Sequence, residues 1–311
     1  MAFQFEPGES VAKCVRRLVH AQIDKAMVGL TGRGGAGPEE VVHDARKRFK
    51  RVRALLRLAG SGLGRRLADS EDARFRDAGR PLSEVRDATV LVETLDRLIE
   101  RSGEQGRSEA IGRAHEALLR RKRNVCRRVL DEGDALAQVV RAMKKARRDL
   151  DPWEFSGGGW NVLGRGLRRI YGGGFRAFHE ASEAPTDEGL HEWRKRVKDL
   201  WYVMDILKPV RPGYTVCRGQ QAHTLADLLG DDHDLAVLRQ VLSTSGDGPC
   251  DSASVEVILP LIDGRRAELQ RDAFDLGPAL YGERPKVFVA RLRAYWRAWR
   301  AEVEADNFAP P

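Results

Sequence analysis

The residues best suited to chemistry form two rows of cations, each headed by a histidine. His43, Arg46, Lys47 and Lys50 form the first, and His191, Arg194, Lys195 and Lys198 the second. At 3.6 residues per turn, His43, Arg46, Lys47, Lys50 and Arg57 share one face of a helix, with Val42, Ala45, Phe49, Val52, Leu56 and Ala59 on the opposite face. The second row has the same geometry: His191, Arg194, Lys195, Lys198 and Tyr202 oppose Trp193, Val197, Leu200, Met204 and Leu207. A solvated face normally mixes signs, because like charges at i,i+4 cost a few tenths of a kcal/mol per pair. A stripe of cations about 5 Å apart suits a polymer of phosphates. Arg supplies forked donors, Lys a mobile point charge, and His a donor that charges near neutral pH.

Other signals are weaker. Thr31 to Gly37 contains G-x-G-x-x-G, but a helical pattern precedes it where a dinucleotide site needs a strand. It reads as a loop, with Pro38 opening the next helix. Asp231, Asp232, His233 and Asp234 have the donor types of a divalent-cation site. The preferred reading is capping of a helix that begins near Leu235. His43–Asp44 and His233–Asp234 are formal H-D pairs of the kind metal-dependent helical phosphohydrolases use, but cations surround the first pair and Glu192 replaces Asp44 in the second row. His20, His115, His179 and His223 read as ordinary side chains, Cys14, Cys126, Cys217 and Cys250 as core fillers. Trp153, Trp160, Trp193, Trp201, Trp296 and Trp299 read as packing residues.

The elements that position these rows are helices throughout. Apolar residues recur at three- and four-residue spacing from Val11 to Val303, and alternating strand patterns are almost absent. Helices are expected near 11–23, 42–56, 84–100, 110–130, 135–150, 162–181, 190–207, 222–229, 235–242, 255–276 and 285–303. Gly and Pro mark the breaks at 31–38, 60–64, 102–106 and 243–249, with a linker at 151–159. Both ends, Phe3 to Gly8 and the final Pro-Pro, are expected to fray. The segment from Val42 aligns with that from Leu190 at an offset of 148 residues, and Leu82 with Leu229 at 147. Arg120–Arg121 and Arg265–Arg266 match more weakly at 145. Near-constant offsets in one order indicate a duplicated helical unit. Two bundles of four or more helices follow, over residues 8–151 and 160–305.

Composition narrows the partners. The 311 residues include 54 Lys and Arg against 46 Asp and Glu, a net charge of +8. Residues 1–155 hold 33 basic and 24 acidic side chains, and residues 156–311 hold 21 and 22. A basic half points to a polyanion. The four cysteines include no C-x-x-C pair, which excludes a disulfide scaffold and disfavours a zinc ribbon. No apolar run reaches the roughly 20 residues of a membrane span. The first ten residues lack a secretion pattern, so the expected location is the cytoplasm.

H-x-x-R-K-x-x-K-x-x-W-Y at His191 to Tyr202, with H-D-A-R-K-R-F-K-R-V-R at His43 to Arg53 one repeat earlier, resembles the CHAD domain, the conserved histidine α-helical domain. Gly166 to Ala181 and Leu229 to Leu238 are similar to its second half, so the resemblance spans roughly residues 8–305. It implies an all-α fold of two bundles related by a pseudo-two-fold axis, with a basic cleft or channel between them. It implies binding of inorganic polyphosphate and association with polyphosphate granules and their proteins. Its candidate ligands are His43, Arg46, Lys47, Lys50, Arg51, Arg53, His191, Arg194, Lys195 and Lys198. Two positions depart from the pattern. Trp201 stands where a basic residue is common, and Gly172 to Gly174 replace a basic run after Tyr171.

The resulting expectation is a non-catalytic polyphosphate-binding protein with no catalytic residue, cofactor or metal and no membrane attachment. The alternatives are a nucleic-acid-binding helical protein, which needs exposed aromatics or a helix free to enter a groove, and a metal-dependent phosphohydrolase.

Overall fold

The computed structural model describes residues 2–104, 108–243 and 251–308. Among these residues the chain is all-α. Its helices are α1 (Val11–Leu30), α2 (Pro38–Leu63), α3 (Arg65–Ala78), α4 (Ser83–Ser102), α5 (Glu109–Cys126), α6 (Ala135–Arg148), α7 (Trp160–Glu183), α8 (Asp187–Ile206), α9 (Pro212–Leu242), α10 (Ser252–Tyr281) and α11 (Pro285–Phe308). A π-helical turn, Arg127–Asp131, extends α5. Cys250 and parts of the 102–106 and 243–249 breaks lie outside the described residues, as do the last two prolines.

Local chemistry sets the helix starts. The side chains of Ser10, Ser108, Thr186 and Asp251 each accept a hydrogen bond from the backbone N–H three residues on, at the heads of α1, α5, α8 and α10. Pro38 opens α2 behind the glycine loop.

Three sequence expectations change. The polar segment at 65–78 forms α3, which buries only Ala68, Glu71, Phe75 and Ala78 and so carries a weak apolar stripe. The two helices expected at 222–229 and 235–242 are one, α9, so Asp231 to Asp234 lie inside a helix and cap nothing. The N-terminal segment is anchored: Phe5 is buried, donates its backbone N–H to the Ile206 carbonyl at 3.0 Å, and packs edge-on against Trp296. Cys14 is buried as expected, but Cys217 is exposed.

The chain's two halves interlock. Helix α2 packs on α7 and α8, α4 on α9, and α5 on α10. One core cluster runs from Phe5 to Val303 and takes in residues from both sides of the 152–159 segment. That segment is itself tied down, with Trp153 buried and the Ser156 N–H donated to the Gly62 carbonyl. Helices α2 and α7 cross so closely that a Cβ at Gly166 would collide with the Leu58 carbonyl. Beside this crossing, Arg57 of α2 donates to the buried Asp199 of α8 at 2.6 Å. Both cation-bearing helices are thereby held at fixed positions. No helix of the described residues is long and apolar enough to cross a membrane.

Candidate functional site: a cationic cavity between helices of both halves

The apolar stripes of α2 and α8 are buried as their spacing predicts, which turns the opposite faces toward a shared recess. This cavity of about 700 Å³ is lined by His43, Arg46, Lys47 and Lys50 of α2, and by His191, Arg194, Lys198, Trp201 and Tyr202 of α8. Arg86 and Asp87 of α4, Arg121 of α5, and Asp227, His233 and Asp234 of α9 complete much of its wall.

Seven of the ten candidate ligands therefore meet in one place. The other three do not line it. Arg51 lies over the rings of Phe3 and Tyr202, 5.2 and 6.0 Å from their centroids. Arg53 is held by Asp72 at 3.0 Å, and Arg57, expected on the cationic face, joins the same carboxylate at 3.2 Å. Lys195 turns outward to Glu192.

Three of the cavity's arginines, Arg46, Arg86 and Arg194, are held by partners. Arg46 donates to the Gly79 carbonyl at 2.8 Å and faces Asp87. Arg194 lies 3.7 Å from Asp234, and Arg86 is 3.0 Å from Glu93. The lysines differ. Among the described residues, Lys47, Lys50 and Lys198 have no carboxylate within ion-pair distance. Lys50 and Lys198, matched in the sequence alignment, are each other's cationic neighbours across the cavity. Dehydration, then the charges of Lys198, Arg46 and Arg194, push the Lys50 ammonium down to about 7. Water still reaches Lys50 through the cavity, which tempers the dehydration. Lys198 is pushed down to about 8 by burial and Arg194, against the opposing pull of Asp227 and Asp234.

The histidines follow the same logic. Burial lowers His43, helped by Arg86 and Lys47, and lowers His191, helped by Lys195 and Arg194. The His191 ring lies 4.2 Å from that of His233, whose pKa burial and His191 bring down to about 4. An anion in the cavity reverses each of these charge effects.

Sequence reading missed Arg86, Arg121 and His233 as cavity residues. Arg86 and His233 occupy matched places in the repeat, at the offset of 147 that also pairs Asp87 with Asp234. That match was the available signal. The Asp231 to Asp234 run fans out: Asp231 faces Arg97, Asp232 accepts from Arg266 and Gln270, and Asp234 faces Arg194. No group of three or more His, Cys, Asp or Glu among the described residues could hold a metal ion. Trp201, read as a packing residue, stands at the cavity edge, stacked on Tyr202 at 4.9 Å and edge-on to His223 at 4.0 Å. Gly172 to Gly174 are buried away from the cavity, where Gly174 lets Tyr281 approach α7. Their departure from the pattern removes no charge from the site.

Comparison with known proteins agrees with this architecture. The structure is similar to that of PptA from Streptomyces chartreusis, with a TM-score of 0.57 and 17% sequence identity, over 86% of this chain and 99% of that one. No curated protein matches the sequence. The model of the CHAD domain family matches residues 17–243, which include both histidine-headed rows and most of the cavity wall. The chain belongs to the CHAD domain family.

Proposed function

We propose that this protein binds inorganic polyphosphate in the cavity between α2, α4, α5, α8 and α9, and catalyses no reaction on it. The observation that carries the reading is the convergence of Lys47, Lys50 and Lys198, from both rows, without carboxylate partners among the described residues. Like charges held this way oppose one another until an anion neutralises them. Family membership supports the same ligand class. The flanking Arg46 and Arg194 are already oriented by Gly79 and Asp234, so little side-chain entropy is lost on binding. Cytoplasmic location and attachment to polyphosphate granules are part of the proposal.

The test is binding of long-chain polyphosphate to the wild type and to a His43→Ala/Lys50→Ala/Lys198→Ala variant, with duplex DNA and single-stranded RNA as competitors. The expected result is tight binding that the variant loses and nucleic acid does not displace. With the cavity's seven Arg and Lys as contacts, the slope of log affinity against log salt should be about −5, by analogy with single strands. Displacement by RNA at equal phosphate concentration transfers the site to nucleic acid. Release of orthophosphate from polyphosphate, abolished by a chelator, makes the protein a hydrolase instead.

A further inference from the structure

Lys50 combines three properties that together suit a reaction at its amine as well as anion binding. Its amine has no carboxylate partner among the described residues, so no ion pair holds it in the protonated form. It stands beside cations of both rows, Arg46, Arg194 and Lys198, which can seat a phosphate group next to it. The cavity is open enough for water, and hence a small reagent, to reach it. An amine beside an anion seat is matched by a reagent that carries an electrophilic carbon on a phosphate.

We propose that Lys50 is an acylation site for small acyl phosphates, which enter the cavity by their phosphate group. The proposal rests on the cavity holding phosphate. The Nζ lone pair attacks the acyl carbonyl carbon, and an amide N–C bond forms. The bond from that carbon to the bridging oxygen breaks, orthophosphate leaves with the electron pair, and the amine's proton passes to solvent. No oxidant or reductant is consumed. In the free protein dehydration, then the neighbouring cations, bring Lys50 to about 7, so part of its amine is neutral at physiological pH where an ordinary lysine is almost wholly protonated, and a seated phosphate gives back part of that shift. Acylation also removes a central cation, so it would turn down polyanion binding by the same cavity.

The experiment incubates the full chain with acetyl phosphate at pH 7.5 and follows intact mass, peptide maps and orthophosphate release. Lys144, exposed on α6, is the internal standard. Lys50 should be acetylated at least about tenfold faster than Lys144, because the neighbouring cations hold the reagent's phosphate beside its amine. Tripolyphosphate should slow Lys50 by about tenfold, and leave Lys144 unchanged. Lys198→Gln, which keeps the amine and weakens the seat, should slow Lys50 several-fold. Acetylation by a phosphate-free active ester should be slowed less by that substitution, which reaches it only through the charge that Lys198 places beside the amine. If polyphosphate binds but Lys50 reacts no faster than Lys144, the acylation proposal is overturned and the binding reading stands. If Lys50 reacts fast with both reagents and tripolyphosphate does not protect it, phosphate does not direct the reaction, and the proposal is equally overturned.

Discussion

The two halves of the molecule bring matched positions to one cavity, but they do not bring equal charge. The first half contributes Arg46, Lys47, Lys50, Arg86 and Arg121, and the second contributes Arg194 and Lys198. The difference lies in three substitutions of role, the first being that Arg121 lines the cavity while its weaker match Arg266 is held by Asp232 and Asp187. Lys47 faces the cavity, while its sequence match Lys195 pairs with Glu192 outside it. Arg86, always charged, is matched by His233, whose pKa is about 4 in the free protein. The first half thus supplies more of the fixed arginine charge, while protons govern Lys50 and His43 there as they govern Lys198, His191 and His233 in the second. A net charge near zero in residues 156–311 reflects this arrangement and needs no loss of the fold.

The largest effect should be on pH dependence. Burial and cationic neighbours lower Lys50 to about 7 and Lys198 to about 8 in the free protein. A bound polyanion favours their protonated forms and raises both values, so binding takes up protons. Affinity must then rise as pH falls through 8 and 7. Between pH 8.5 and 6.5 the expected gain is on the order of tenfold to a hundredfold. Titration calorimetry in buffers of different ionisation enthalpy measures the proton uptake directly. Below pH 6 a further gain should come from His43, His191 and His233, all lowered in the free protein. His233→Arg should flatten that lower limb by making the second half resemble the first. Equal limbs in wild type and variant would remove His233 from the site.

A smaller effect separates the matched lysines. Lys47→Ala should weaken polyphosphate binding by about fivefold to tenfold and reduce the salt slope by about 0.7, the share of one phosphate contact. Lys195→Ala should change affinity by less than about twofold, since its charge is outside the cavity and screened. Anisotropy titrations at several salt concentrations report both quantities. Equal losses would mean that the bound polymer runs outward past Glu192, and the asymmetry between the halves would disappear.

Much of this arrangement is legible in the sequence, because the code for it is local. The apolar stripes of α2 and α8 fix which face each cation row takes, so His43, Arg46, Lys50, His191, Arg194 and Lys198 could be placed together from spacing and repetition. What spacing cannot give is the identity of a neighbour from another helix. Arg57 looks like a member of the stripe and Arg53 is a candidate through the resemblance, yet Asp72 on α3 claims both, and Asp199 on α8 also claims Arg57. Helix α3 itself carries few buried residues, so nothing announced the acid that it supplies. His233 was hidden for a different reason. Its acidic neighbours imitate a cap, and only the continuous α9 turns it toward His191.

Stability should respond in the opposite sense to binding. Because Lys50 has a lowered pKa in the folded state, the unfolded chain holds its proton more tightly. This group's contribution to stability therefore falls as pH drops from 10.5, the ordinary lysine value, to about 7, and stays low below that. Lys50→Met should raise the unfolding temperature of the ligand-free protein by about 2–4 °C at pH 6, and by less at pH 9. Calorimetry with and without tripolyphosphate checks the sign. The ligand should stabilise the wild type more than the variant.

Trp201 offers the finest test of the comparison. Its sequence match, Arg53, is basic but spends its charge on Asp72 away from the cavity. Trp201 is uncharged but stands at the cavity edge. The two positions therefore share an alignment column and not a role, and the missing charge in the second half is not one that the first half uses. Trp201→Arg should accordingly add a new contact rather than restore an old one. Trp201 is half-buried at the rim and Asp205 lies in the adjoining groove, so the gain should be modest, about twofold to threefold at low salt and less at high salt. A gain of tenfold or more would mean that the polymer leaves the cavity past Trp201, making the second half's rim part of the binding track. No change at low salt would mean that the polymer stays with the lysines at the centre and exits along the first half.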